Sequence, residues 1–280
     1  MEITITREDF LKGLHRIQSI VERRNTTPIL THFLLEATAE EVRISATDLE
    51  LGFRGTLAAE TITPGSLALA ARQTYDIVRE LSSETPITLT ALENNWVQLT
   101  ADRAVFKIPS LRGDDFPPLP SSEEKDGIEI NDQTFREMIG KTIFSISQDE
   151  TRFALKGALF ALHDDEMRMV SSDGHRLAYI RRPHAGIPTP QEVIVPKKAL
   201  EEIRKLLEES KGEEETSFLG VAGSHLIFKK DDVLLTSRLI EGQFPPYEQV
   251  IPRGYEKRAL LNREMLLGAL KRVSLLSNEK

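Results

Sequence analysis

Cysteine is absent from this 280-residue chain, which removes disulfides, thiolate metal sites and cysteine nucleophiles together. That suits a reducing compartment, and a cytoplasmic location is expected. No uninterrupted apolar run approaches the roughly 20 residues that a membrane span needs. Met1-Glu2-Ile3-Thr4 lacks the basic-then-apolar design of a signal peptide. The common catalytic signatures are missing as well: there is no Walker-type glycine loop, no HExxH and no GxSxG. His15, His32, His163, His184 and His225 are scattered without ligand spacing, so neither a metal nor a cofactor is expected. Aromatic residues make up 6% of the chain, with a single tryptophan. Trp96 and the phenylalanines fall on apolar faces and are expected in the core.

What the chain does have is repetition, at a spacing of about 125 residues. Thr47-Asp48-Leu49-Glu50-Leu51 returns as Ser172-Asp173-Gly174-His175-Arg176-Leu177. Gly113-Asp114-Asp115-Phe116-Pro117 returns as Gly242-Gln243-Phe244-Pro245. Ile3-Thr4-Ile5 followed by Phe10 returns as Ile128-Glu129-Ile130 followed by Phe135, and a third copy opens at Leu261-Asn262-Arg263-Glu264. The period is too long for a solenoid, so each copy is a domain-sized unit. Three units are expected: 1–120, 128–252 and the start of a third at 258–280. Polar linkers separate them, the first at 121–127 and the second at 253–257.

Each unit reads as strand, helix, strands, helix, strands. In the first, Ile3 and Ile5 alternate, Thr6 is placed to cap a helix, and Phe10, Leu14, Ile17 and Val21 share one helical face. Strands are expected at 30–37, 41–45 and 50–57, a helix at 73–81, and strands at 88–92, 96–100 and 104–108. The second unit repeats the plan with helices at 133–146 and 197–210, Pro196 standing where a helix start tolerates it. Antiparallel strands around two helices per unit make the class α+β.

The net charge of −8 argues at first against a nucleic-acid partner. Its distribution argues the other way. Residues 7–24 carry +2, residues 197–211 carry +1 and residues 258–272 carry +3, which leaves −14 for the rest. On the first helix Lys12, Arg16 and Arg23 lie opposite the apolar stripe, with Arg24 next in sequence. Lys198 and Lys205 do the same on the fourth helix, flanked by Glu201 and Glu209. Basic helix faces on an otherwise acidic protein suit phosphate backbones, while a solvated helix face is the plainer alternative.

Asp173-Gly174-His175 invites an acid–base reading. The first unit has Asp48-Leu49-Glu50 at the same place, so the Asp belongs to the shared architecture, as a turn between strands. Catalysis is not expected, and the chain reads as a non-enzyme.

The strings Thr47-Asp48-Leu49-Glu50, Ser172 to Ala178, Val193-Ile194-Val195-Pro196 with Lys198, Thr236 to Pro245 with Tyr247, and Leu275 to Lys280 resemble the bacterial sliding clamp, the beta subunit of DNA polymerase III. The resemblance implies a processivity factor, a head-to-tail homodimeric ring of three-domain subunits that slides on duplex DNA. DNA contacts then fall to Lys12, Arg16, Arg23, Arg24, Gln148, Lys198 and Lys205. A pocket for short peptides from DNA polymerase III alpha, other polymerases, the clamp loader and repair proteins falls to Leu155, Ser172, Gly174, His175, Arg176, Leu177, Pro245 and Val250. Ser172 stands where the family commonly has threonine, and Gln249 where some members have arginine. The subunit interface falls to Arg103 and Phe106 on one side and to Leu275 and Leu276 on the other. Family chains run to three complete repeats. The resemblance therefore implies an incomplete third unit here, poorly packed after about Arg258, and a chain that is monomeric or weakly self-associating.

Overall fold

The computed structural model describes residues 1–21, 27–119, 127–149, 151–163, 165–185, 190–210, 212–252, 254 and 256–276. It falls into two compact units, Met1–Phe244 and Pro245–Lys280.

The larger unit contains one motif twice. Repeat one runs β1 (Glu2–Thr6), α1 (Arg7–Ile17), β2 (His32–Ala37), β3 (Val42–Thr47), β4 (Leu51–Leu57), β5 (Ala59–Thr63), β6 (Gly65–Ala70), α2 (Ala71–Glu80), β7 (Pro86–Leu92), β8 (Trp96–Ala101) and β9 (Ala104–Arg112). Repeat two runs β10 (Gly127–Asn131), α3 (Asp132–Thr142), β11 (Gly157–His163), β12 (Glu166–Ser172), β13 (Leu177–Pro183), β14 (Gln191–Pro196), α4 (Lys197–Glu208), β15 (Thr216–Ala222), β16 (His225–Lys230) and β17 (Val233–Arg238).

Most of the strand pairing is the same in both. β2 lies between β3 and β6, and β3 pairs with β4; β11 lies between β12 and β14, and β12 pairs with β13. The second sheet runs β1-β7-β8-β9 in repeat one and β10-β15-β16-β17 in repeat two, all antiparallel. β5 is an addition of repeat one, at the outer edge of β1. The repeats are joined by β17 pairing with β4, from Val233↔Gly55 to Ser237↔Leu51. With β6 also pairing to the end of β9 in repeat one, this makes one sheet of 13 strands, while β11–β14 form a separate sheet.

The helices form where the apolar spacing put them. Thr6 Oγ1 accepts the N–H of Asp9 at 3.1 Å and starts α1; Asn131 Oδ1 accepts the N–H of Thr134 at 2.9 Å and starts α3. These side chains satisfy first-turn donors that have no helical partner. Phe10, Leu14 and Ile17 are buried on α1, and Phe135, Met138 and Ile139 on α3. Phe135 touches Phe160 and Phe228, at ring separations of 5.7 and 6.4 Å, binding α3 to both sheets of its repeat. α1 packs beside α2, and α3 beside α4.

Several expectations shift. α1 ends at Ile17, yet Ile20 and Val21 stay buried through a tight turn in which the N–H groups of both donate to Ile17 O. Leu30 sits in a single 3-10 turn before β2. α3 stops at Thr142 and gives way to a 3-10 turn over Ile143–Ser145. Trp96 is 43% exposed at the β7–β8 turn, and Phe144 and Phe153 are exposed too, so these three aromatics are not core. The first linker, apart from Gly127 at the start of β10, lies outside the described residues.

The smaller unit holds a 3-10 turn over Tyr247–Gln249 and α5 (Arg263–Ser274), which Asn262 Oδ1 caps by accepting the N–H of Met265 at 3.0 Å. No residue of α5 is buried. Its apolar side chains, Met265, Leu266, Leu270 and Val273 among them, are exposed.

Candidate nucleic-acid and peptide interfaces

α1 and α4 face each other across the junction of the repeats, bridged by Arg16–Glu209 and Ser19–Glu202. A crevice of about 630 Å³ runs between them, lined by His15, Arg16 and Ser19 of repeat one and by Glu202, Lys205 and Glu209 of repeat two. Arg16 and Lys205, expected on one surface, line the same crevice, and Lys12 is exposed one turn before Arg16. Lys198 lies at the other end of α4. Gln148 is exposed in the segment after α3. Arg23 and Arg24 lie outside the described residues.

The sequence did not reveal how these cations are held. Arg16 donates through Nε and Nη2 to the two carboxylate oxygens of Glu209, at 3.2 and 2.6 Å, and its Nη1 is 3.6 Å from Asp232. Burial works against the Arg16 charge, but the hydrogen bonds and field of Glu209 outweigh it and raise the pKa. Burial likewise opposes the Glu209 carboxylate, and Arg16 more than offsets this, leaving its pKa lowered. Glu202 is buried, accepting from Ser19 Oγ at 2.7 Å and from Lys205 Nζ at 2.8 Å. Lys198 donates to Asp48 in the β3–β4 turn of repeat one. Arg16 and Glu209 stand 193 positions apart, so only the fold could disclose their pairing.

The second site centres on the β12–β13 turn. Asp173 Oδ1 accepts the N–H groups of His175 and Arg176, each at 3.0 Å, and Oδ2 accepts Arg176 Nε at 3.0 Å. Ser172 Oγ donates to Arg176 O at 2.9 Å and accepts the N–H of Gly174 at 3.1 Å. Gly174 has φ +87, a conformation that asks for glycine, while an added Cβ would meet only the guanidinium end of the flexible Arg152 side chain. Asp48 and Thr47 build the same turn in repeat one: Asp48 Oδ1 accepts from the N–H groups of Glu50 and Leu51, and Leu49 has φ 77. The repeated string is thus a turn, with the aspartate committed to backbone donors. Three hydrogen bonds hold Asp173 in this structural role.

Leu155 is 9% exposed in the 3-10 turn Phe153–Lys156, which opens with the exposed Phe153. Arg152 Nη1 donates to Asp173 O at 3.0 Å, and the Arg176 guanidinium stands 5.8 Å above the Phe144 ring. Phe144 and Arg152 therefore contact this turn, and Phe153 follows Arg152 in the 3-10 turn that also holds Leu155. Sequence reading missed these three because their spacing fits a helix end and a loop as readily as a surface. Pro245 and Val250 belong to the smaller unit, where both are exposed.

The interface residues divide similarly. Arg103 is exposed and Phe106 half-buried on β9, beside the exposed Val105. Leu275 and Leu276 are exposed just after α5.

A tandem α+β motif, fused edge to edge and with its helices packed in pairs, defines a clamp-type repeat protein. Residues 1–120 match the profile of the DNA polymerase III beta subunit N-terminal domain, and residues 129–246 that of its central domain. The beta sliding clamp of Caulobacter vibrioides is 36% identical over 289 residues, and that of Pseudomonas aeruginosa 34% over 285; each match covers the whole chain and 76% of the relative. The solved sliding clamp of Bartonella birtlesii superposes with a TM-score of 0.94 at 33% identity, over 100% of this chain and 75% of that one. The chain belongs to the bacterial sliding-clamp family, that of the DNA polymerase III beta subunit. Sliding clamps are non-enzymatic processivity factors, and the absence of catalysis read from the sequence fits that family.

Proposed function

We propose that this chain acts as a unit of a ring that encircles duplex DNA, slides on it and tethers polymerase to the template. The observation that carries the proposal is the β4–β17 seam. It joins two equivalent units head to tail through unlike edges, the kind of contact that propagates until a ring closes. β9 occupies in repeat one the place of β17, and its outer edge over Ala104–Ile108 meets no strand among the described residues. Arg103 and Phe106 are assigned to that edge as one half of a subunit interface. Leu275 and Leu276 go to the other half, in a homodimer of the full-length form.

The organisation is then clamp domain 1 at 1–120, domain 2 at 128–252 and the beginning of domain 3 at 258–280. Lys12, Arg16, Arg23, Arg24, Gln148, Lys198 and Lys205 face the duplex. Contact with phosphates alone carries no sequence information, which permits sliding. Leu155, Ser172, Gly174, His175, Arg176, Leu177, Pro245 and Val250 receive short peptides of DNA polymerase III alpha, other polymerases, the clamp loader and repair proteins. An apolar surface with a few fixed polar groups suits that use. The work is done in the cytoplasm; no helix among the described residues is long and apolar enough to cross a membrane.

Titrating labelled duplexes of unrelated sequence at several salt concentrations tests the DNA reading. Affinities should agree between sequences and fall linearly on a log–log salt plot. Sequence-selective binding, or capture of clamp-binding peptides with no response to DNA at any salt, would turn the reading into that of a protein scaffold.

A further inference from the structure

We infer that carboxylates limit how strongly the α1/α4 crevice holds duplex DNA: Glu209 with Asp232, and Glu202, keep Arg16 and Lys205 in internal ion pairs that a phosphate must displace. This inference rests on the DNA-lining reading above.

Arg16 is the sharpest case. All three guanidinium nitrogens face carboxylates, Nε and Nη2 toward Glu209 and Nη1 toward Asp232. Its side chain is only 14% exposed, against 41% and 42% for the two acids. The forked, two-point geometry is the one in which arginine holds a carboxylate or a phosphate best. A phosphate therefore competes with Glu209 for the Nε–Nη2 fork, the pair of donors best placed to hold it. Lys205 is more exposed, but its ammonium rests on the buried Glu202, which Ser19 fixes from repeat one. At the far end of α4, Lys198 rests on Asp48 in the same manner.

The carboxylates come from α4 and from the β16–β17 turn, whereas Arg16 comes from α1. The Arg16 pairing thus depends on how the two repeats are joined, whereas Lys205–Glu202 is a local i, i+3 contact within α4. Partly exposed pairs of this kind are weak enough for a polyanion to displace. They reduce affinity without abolishing it. They also lower the number of counterions released, because a cation that stays paired with its own carboxylate neutralises no phosphate.

The test measures fluorescence anisotropy of a labelled duplex across a salt series, with wild-type chain, Glu209→Gln, Asp232→Asn, Arg16→Ala and the double variant E209Q/R16A. Glu40→Gln serves as a matched charge change on the exposed β2–β3 turn. E209Q is expected to tighten binding about two- to fivefold at low salt. It should also steepen the log–log salt slope by up to about 0.9. E40Q should do neither, and the gain should vanish in E209Q/R16A. D232N should act in the same direction, and it keeps the test decisive if thermal melting shows E209Q to be poorly folded. The inference is overturned if wild type binds in a salt-dependent way while E209Q and D232N leave affinity and slope unchanged, or if the gain survives without Arg16. If neither wild type nor any variant shows salt-dependent binding, the DNA reading itself fails and takes the inference with it.

Discussion

Asp173 shows how much one side chain decides. Backbone N–H bonds from His175 and Arg176, with the side-chain bond of Arg176, hold its carboxyl down at about 2. A depressed carboxyl contributes stability above its ordinary value of about 4 and loses it as pH falls through the folded value. The β12–β13 turn should therefore persist through pH 4 and open only near pH 2. A carboxyl-carbon titration by NMR with a midpoint near 4 would contradict the turn geometry. Lys230 is a second decisive residue. It is buried, donating to Asp132 at 2.6 Å and to Glu215 at 3.0 Å, while Asp132 also accepts from Ser210 and Ser217. Burial disfavours the Lys230 charge, but these bonds prevail and its pKa is raised. Lys230→Ala would strand a carboxylate that is 1% exposed, at a cost of about 3–5 kcal/mol. Urea denaturation reads this directly, and a loss under about 1 kcal/mol would show that the network stabilises little. Repeat one has Ala101 at the equivalent turn and Arg7 at the head of its helix, so this network belongs to repeat two alone.

Elements differed in how plainly they could be read. α1 and α3 were legible because caps and apolar spacing agreed: Thr6 and Asn131 accept first-turn N–H groups, and the buried stripes follow one face. α4 has no side-chain cap and was legible from its apolar spacing and Pro196. β5 and β6 were not. Ala59–Thr63 is almost wholly exposed, and Gly65–Ala70 carries no β-branched or aromatic residue, so neither shows the signal of a half-buried strand. Trp96 misled for the opposite reason, since its strand alternates correctly while its own position caps the β7–β8 turn. The seam between β4 and β17 was invisible, because edge pairing leaves no periodicity. It nonetheless yields a prediction. Amides of β4 and β17 bonded across the seam should exchange hydrogen as slowly as those of the central β2 and β3. Fast exchange over 51–55 and 233–237 would mean that the two repeats open independently.

At the scale of the molecule, the repeat and its turn strings were enough to place the chain among clamps. The basic helix faces were legible as well, because they follow helical spacing. Their neutralisation by Glu209, Asp232 and Asp48 was not, since each of those partners comes from another element, whereas Glu202 lies three residues before Lys205 on the same helix. The apolar surface beside the β12–β13 turn was half legible: Ser172 to Leu177 stood out by repetition, whereas Phe144 and Phe153 had no counterpart to mark them.

The seam also sets a timetable. β4 is complete at Leu57, but its partner begins at Val233, so about 180 residues separate them, roughly 10–40 s of synthesis at ordinary rates. Through that interval the first repeat presents an open strand edge, of the kind that invites pairing with another chain. Arg54 lies at the centre of that edge, directly opposite where Leu234 will come to rest, and a charge in that position discourages a stray partner. The strand that fuses the two repeats in the finished protein is the one that waits longest while the chain is being made.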